Sequence, residues 1–189
     1  MSENLNDRRS AKTRRALSNA MAELLTQKEL RRITVQEIAD KAEVNRVTFY
    51  KHYLDVYDLY EKLEKNLLVD LGLLILRLEE LPSEQAFAEL INYISDNRPV
   101  FCMMFSPNST CQLRDKFAKI TEGLFLQMEN EKIAAMDPKK QEYLTCYRAQ
   151  GCLAVIAKWV NEGFVVPKDT LVKSISQLDK SIDKLIGGN

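Results

Sequence analysis

The chain has 189 residues, 46% of them hydrophobic and 29% charged, and 27 Lys+Arg balance 27 Asp+Glu to a formal net charge of +0. That length fits about one domain with room for a second small one, and the apolar content and low net charge exclude a disordered chain. They also exclude a protein that coats nucleic acid over its whole surface.

The balance is uneven along the chain. Residues 1–53 hold 11 Lys+Arg against 7 Asp+Glu, a surplus of four positive charges, and residues 54–189 hold 16 against 20, an equal deficit. Such asymmetry points to one end that meets a polyanion and one that does not. The N-terminal residues Met1, Ser2, Glu3 and Asn4 form no apolar signal core. Apolar runs such as 71–76 and 151–157 fall far short of the ~18–20 residues that a spanning helix needs. A cytoplasmic protein with no membrane partner is expected.

Nearly every segment carries the helical period, with apolar residues at i, i+3, i+4 and i+7. A first helix is expected over about 7–26, with Leu17, Ala20, Met21, Leu24 and Leu25 buried and Arg8, Lys12 and Arg15 on another face. Thr34 followed by Glu37 is a capping box that opens a second helix with Ile38, Ala39 and Ala42 inward. Asn45 caps a short third helix that ends near Tyr53. Asp55 caps a long fourth, in which Val56, Leu59, Tyr60, Leu63, Leu67, Leu71, Leu74 and Leu78 keep the period to about residue 80. Pro82 breaks it, and Ser83 is expected to cap a fifth helix with Phe87, Leu90, Ile91 and Ile94 inside. A short sixth covers 100–105, a seventh 110–132 with Leu113, Phe117, Ile120, Leu124 and Met128 inside, and an eighth runs from Pro138 and stops before Gly163. Asp169 is expected to cap a ninth that ends before Gly187. No segment alternates with period two, so the fold class is all-α with nine helices.

Residues 34–53 therefore read helix, tight turn, short helix, the helix-turn-helix pattern whose second helix enters a major groove. The outward positions of that helix carry Asn45, Arg46, Val47, Thr48, Tyr50, Lys51 and His52. Arg and Asn can bond base edges bidentately and Val can meet a thymine methyl, while Thr, Tyr, Lys and His suit phosphate oxygens.

The run Thr34-Val35-x-x-Ile38-Ala39-x-x-Ala42-x-Val44-x-x-x-Thr48-Phe49-Tyr50-x-His52-Tyr53 resembles the signature of TetR-family transcriptional regulators. The resemblance implies a homodimer that reads a double-stranded, palindromic operator and releases it when a small-molecule effector binds. It implies a three-helix DNA-binding domain over 1–53 and a helical ligand-binding and dimerisation domain over 54–189. By position, Arg46, Val47 and Thr48 would face bases or adjoining phosphates, and Thr34, Tyr50 and His52 the backbone. Two positions depart from the family pattern: Glu43 stands where Gly is common at the turn, and Val56 where many members start helix four with Lys. A non-Gly residue in a left-handed turn costs about 1 kcal/mol, so an altered turn is expected, with one phosphate contact fewer. The segment 54–59 resembles a subgroup that includes the activator of dihydroxyacetone kinase genes.

Toward the C-terminus, Leu171, Ile175, Leu178, Ile182 and Leu185 step by four and three, a heptad-like seam. With Trp159 and the small residues Ala149, Gly151, Cys152, Ala154 and Ala157 of helix eight, they are the expected dimer interface. Candidate effector-pocket residues are Leu63, Phe101, Met104, Phe105, Phe117, Thr121, Tyr143 and Tyr147, with Arg148 able to orient a ligand. The competing reading of each is plain core packing.

Four cysteines, Cys102, Cys111, Cys146 and Cys152, lack CxxC spacing and are expected to be reduced, buried thiols. With His52 the sole histidine, no metal site and no cofactor are expected. Glycine-rich phosphate loops, GxSxG and HExxH are all absent, which argues against an enzyme. A regulator that activates, or acts through a protein partner with weakened DNA contact, is the alternative to a repressor.

Overall fold

The computed structural model describes residues 2–78, 80–108, 111–127 and 136–187. Among these the chain is all-α, with nine helices, one 3-10 turn at Leu30–Arg32 and no strand. The helices are α1 Ser2–Gln27, α2 Val35–Lys41, α3 Arg46–Tyr50, α4 Val56–Leu78, α5 Ser83–Asp96, α6 Arg98–Phe105, α7 Cys111–Gln127, α8 Pro138–Asn161 and α9 Lys168–Gly187. α1 starts five residues before the expected position, and Met128 and the end of the expected seventh helix lie outside the described residues.

Two compact units emerge. One comprises Met1–Leu67 with Pro99–Leu113, the other Leu68–Arg98 with Arg114–Asn189. In the first, α1 packs on α2 and α2 on α3. Leu17, Met21, Ile38, Ala39, Phe49 and Leu59 have at most marginal exposure and form its core. Burying each large aliphatic or aromatic side chain contributes roughly 1.5–3 kcal/mol. The Asn108 amide donates to the Thr26 carbonyl at 3.3 Å, which ties the chain after α6 to the end of α1. In the second unit α5 and α9 pack along one another, and Phe87, Leu90, Ile91 and Ile94 supply the apolar face of α5.

Helix ends follow local chemistry, with two corrections. The Thr34 hydroxyl accepts from the Glu37 N–H while the Glu37 carboxylate accepts from the Thr34 N–H, as the capping box requires. Asp55 Oδ1 accepts from the Asp58 N–H at 2.8 Å, and Asp58 reaches back to the Leu54 N–H at 2.9 Å. Asp137 caps α8 by accepting from Lys139 and Lys140. Ser83 is not a cap, however. Pro82 occupies the N-cap position in extended geometry without a side-chain bond, and Ser83 is the first helical residue. Asp169 likewise lies inside the first turn of α9, one residue after Lys168, where its charge suits the helix dipole.

Two helices end in the same motif. At the end of α8 the Phe164 N–H bonds the Trp159 carbonyl and the Gly163 N–H bonds that of Val160, both at 3.0 Å. At the end of α2 the Val44 N–H bonds the Ala39 carbonyl at 2.9 Å and the Glu43 N–H that of Asp40 at 3.1 Å. These are Schellman pairs, which need a left-handed residue at the turn. Gly163 fills that position with φ 75°, and Glu43 fills it with φ 55°.

Candidate nucleic-acid interface

The turn that Glu43 forms aims α3. Departure from the family pattern at residue 43 leaves the turn geometry intact, because both carbonyl-capping bonds are made with Glu in place. The turn stores local strain instead of relaxing to another shape. Asn45 then caps α3, its Oδ1 accepting from the Val47 N–H at 2.8 Å. Phe49 pins the helix inward with no exposed surface, its ring edge-on to Tyr50 at 5.5 Å and tilted to Tyr53 at 5.7 Å. With Phe49 locked, the residues around it must face out.

Val47 is 64% exposed and Tyr50 51%. Arg46 and Lys51 are exposed as well, while Thr48 and His52 are half-buried. The Arg46 guanidinium lies 5.9 Å from the centre of the Tyr50 ring, with Nη2 at 3.4 Å from the Tyr50 hydroxyl. One turn of helix thus presents a cation, an aliphatic side chain and a phenol together. The Asn45 carboxamide oxygen is occupied by capping, which leaves its NH2 free to donate. Thr34 has its hydroxyl committed to Glu37. Lys28 pairs with the same carboxylate, and that contact with the two Thr34 bonds holds Glu37 down to a pKa of about 2. Val56 is buried, so the first position of α4 offers no phosphate contact.

His52 is held below its usual 6.5, first by partial burial and then by the positive charges of Arg14 and Lys51. Arg14 belongs to α1, and helical periodicity alone, which singled out Arg8, Lys12 and Arg15, passed it over. The hydroxyls of Ser18 and Tyr53 are hydrogen-bonded, so this stretch of α1 lies against the chain that leaves α3.

Residues 83–180, more than half of the chain, match the TetR C-terminal family described as "Transcriptional regulator C-terminal region". The chain belongs to the TetR family of transcriptional regulators. Its members regulate transcription and are not enzymes. A curated relative is the uncharacterized HTH-type transcriptional regulator YxbF of Bacillus subtilis (strain 168), 22% identical over 174 residues. That alignment covers 86% of this chain but 43% of YxbF, so the chain spans less than half the length of that relative. Among solved structures, a transcriptional regulator from Aquifex aeolicus VF5 superposes with TM-score 0.65 at 15% identity over 90% of this chain and 99% of that one. The dihydroxyacetone kinase operon activator DhaS superposes with TM-score 0.59 at 16% identity over 93% and 96%. At such identities the likeness is one of fold.

In this TetR-family chain the expected effector residues are divided between the two units. Leu63, Phe101, Met104 and Phe105 are core of the first unit, and Phe117 and Thr121 are buried in the second. The Thr121 hydroxyl donates to its own helix at the Phe117 carbonyl, 2.9 Å away. Tyr143 and Tyr147 are exposed. The second unit does contain a mostly apolar cavity of about 300 Å³, lined by Phe87, Phe125, Tyr147, Cys152, Ile175 and Leu178 among others. Tyr147 and Arg148 are the lining residues that the sequence itself singles out for a ligand. Arg148 stands in its wall but is not free to orient a ligand. It is buried, donates to both Asp179 oxygens at 2.9 Å, and lies 5.1 Å from the Phe125 ring centre.

Of the expected interface residues, Trp159, Leu171 and Ile175 are buried within the single chain. The Trp159 indole N–H donates to the Val166 carbonyl at 2.8 Å and its ring meets Phe164 edge-on at 4.7 Å, so it closes the α8–α9 turn. Leu178 is 59% exposed and Ile182 half-buried. Leu185 falls where side chains are not described. Cys152 is buried and its thiol is pushed up to about 12 by burial and by Asp179, whereas Cys146 is exposed, contrary to expectation, because it sits on the outer face of α8. Among the described residues no helix is long and apolar enough to cross a membrane.

Proposed function

We propose that the chain is a ligand-responsive repressor that binds a palindromic DNA operator as a homodimer through residues 1–53 and uses residues 54–189 for dimerisation and effector binding. The observation that carries this reading is the outward row Arg46, Val47, Tyr50 and Lys51 on a helix fixed by a capping box, a Schellman turn and the buried Phe49. Arg46 and Val47 read base edges, and Asn45 adds its free amide donors. Thr48, Tyr50, Lys51, His52 and the Thr34 backbone region hold phosphates and set register.

A two-fold dimer presents two such helices to half-sites ~34–36 Å apart. Tyr143, Tyr147, Leu178 and Ile182 supply the open apolar surface of α8 and α9 for a self-complementary contact. Tyr147 and Leu178 also line the apolar cavity, so dimer formation and effector binding share one region. An effector acts by preferring one orientation of α4, the helix that follows the DNA-binding residues, and so alters the separation of the two α3 helices.

Selection of duplexes from a random pool by the purified protein tests this. A two-fold symmetric site with half-sites ~10 base pairs apart supports it, together with a dimer by light scattering. A monomer at micromolar concentration, or no enrichment of any sequence, overturns it.

A further inference from the structure

Four helices of the second unit wall the apolar cavity of about 300 Å³, with Phe87 from α5, Phe125 from α7, Cys152 from α8, and Ile175 and Leu178 from α9. At ~30 Å³ for a water-sized group, that volume takes a molecule of about ten non-hydrogen atoms. The Phe87 and Phe125 rings stand 6.2 Å apart and are tilted by 48°. A third aromatic ring can extend such a pair edge-to-face or offset. Gly151 lines the cavity as well. It lies in the interior of α8, where glycine weakens a helix relative to alanine. A Cβ added there would meet no neighbour within 4 Å outside its own helix backbone. Packing within the described residues therefore does not require a glycine, and the missing side chain keeps the space open.

The charges on the wall cancel. Among the described residues only Arg148 and Asp179 bring charge to the cavity, and they face each other through two 2.9 Å bonds. The Cys152 thiol stays protonated at neutral pH, because burial and then Asp179 push it up to about 12. A carboxylate or ammonium group entering this space meets no uncompensated counter-charge, so its desolvation is not offset. A neutral molecule carries no such penalty. Stability does not account for the pair, since replacing both partners with apolar groups of like volume is close to neutral or stabilising. Its consequence for recognition is plainer: Asp179 cancels the cation that would otherwise draw an anion in. Tyr147 lines the cavity and is exposed, so its phenol stands at the mouth. There it can donate to, or accept from, one polar group of a bound molecule.

We infer that this cavity takes a neutral, mostly apolar aromatic molecule of about ten non-hydrogen atoms, and that Asp179 makes it reject anions by neutralising Arg148. The inference rests on the proposed effector binding by residues 54–189, and adds to it the class of ligand and the residue that sets that class.

Titration calorimetry on the full-length protein at neutral pH tests it, with 2-naphthol as a neutral probe and 2-naphthoate as an anion of the same ring system. Wild type should bind 2-naphthol at least ~30-fold more tightly than 2-naphthoate. Asp179→Asn keeps the size of the side chain and removes its charge. In that variant 2-naphthoate should gain at least ~10-fold in affinity, while 2-naphthol changes by less than ~3-fold. Gly151→Leu fills the space and should abolish 2-naphthol binding. Wild type that binds the two compounds equally, or binds neither, overturns the inference, and so does Gly151→Leu protein that binds 2-naphthol unchanged. Those results decide the matter even where Asp179→Asn does not fold. In folded Asp179→Asn protein, an unchanged preference for 2-naphthol overturns the role given to Asp179. Operator binding is read separately, by anisotropy with a duplex selected by the wild type. Failure to bind 2-naphthol in protein that still binds this duplex overturns the inference and leaves operator recognition standing. Binding of 2-naphthol in the cavity without any change in operator affinity supports the site and contradicts the proposed response to ligand.

Discussion

The buried pair between Arg148 and Asp179 gives the sharpest stability prediction. The two side chains are 5% and 8% exposed and meet through two 2.9 Å bonds. Phe125 covers the guanidinium at 5.1 Å. Arg148→Met leaves a carboxylate buried among Phe125, Cys152 and Ile175, and Asp179→Leu leaves a buried guanidinium. Breaking a buried pair from one side costs about 3–5 kcal/mol, whereas replacing both partners with apolar groups of like volume is close to neutral or stabilising. Each single variant should therefore lose about 3–5 kcal/mol of unfolding free energy, and the double variant should recover most of it. Urea unfolding at one fixed protein concentration measures this, since a change of midpoint at constant slope reports stability directly. Single variants that lose less than about 1 kcal/mol would show that water reaches the pair. Additive losses in the double variant would refute the reasoning outright.

Three further outcomes follow from local geometry. Glu43→Gly should stabilise the head by up to about 1 kcal/mol, and Gly163→Ala should destabilise by a similar amount, because both positions are left-handed Schellman residues; thermal unfolding of the two variants checks the opposite signs. Among the described residues the buried Ser176 hydroxyl has no hydrogen-bond partner, so Ser176→Ala should raise stability by about 1 kcal/mol in the same assay. His52 is held below 6.5 in the free protein. Its protonation therefore opposes folding, and stability declines as pH falls below 6.5. Nearby phosphates would reverse that bias, so DNA affinity should rise as pH falls from 8 to 6, and His52→Gln should flatten the trend. Anisotropy titrations across that range decide it, and an equal pH response in His52→Gln would refute it.

Most of the fold was legible because helices leave a strong one-dimensional trace. All eight apolar positions named for α4, from Val56 to Leu78, are buried. The Thr34–Glu37 capping box and the stop at Gly163 are local, and local chemistry is readable. Ser83 and Asp169 misled because each is a good cap that follows a proline within two residues. Where Pro82 or Pro167 precedes the helix, the boundary is set by the proline and the polar residue enters the first turn. Cavity-lining residues are hard to read from sequence, since a residue facing a cavity and one facing another side chain share the same helical spacing. Phe117 and Phe125 are both buried, yet Phe125 borders the cavity and Phe117 does not. The Arg148–Asp179 pair spans 31 positions, a separation over which no spacing rule operates.

The claim that α3 reads DNA sequence is tested most directly by the specificity ratio. Affinity for a duplex selected by the wild type is divided by affinity for an unrelated duplex at 150 mM salt. The account predicts a wild-type ratio of about 10³ or more. It also predicts that folded Arg46→Ala protein loses about 10- to 100-fold of that ratio, the worth of one bidentate base contact. A wild-type ratio near one, or a ratio that Arg46→Ala leaves unchanged, would contradict it.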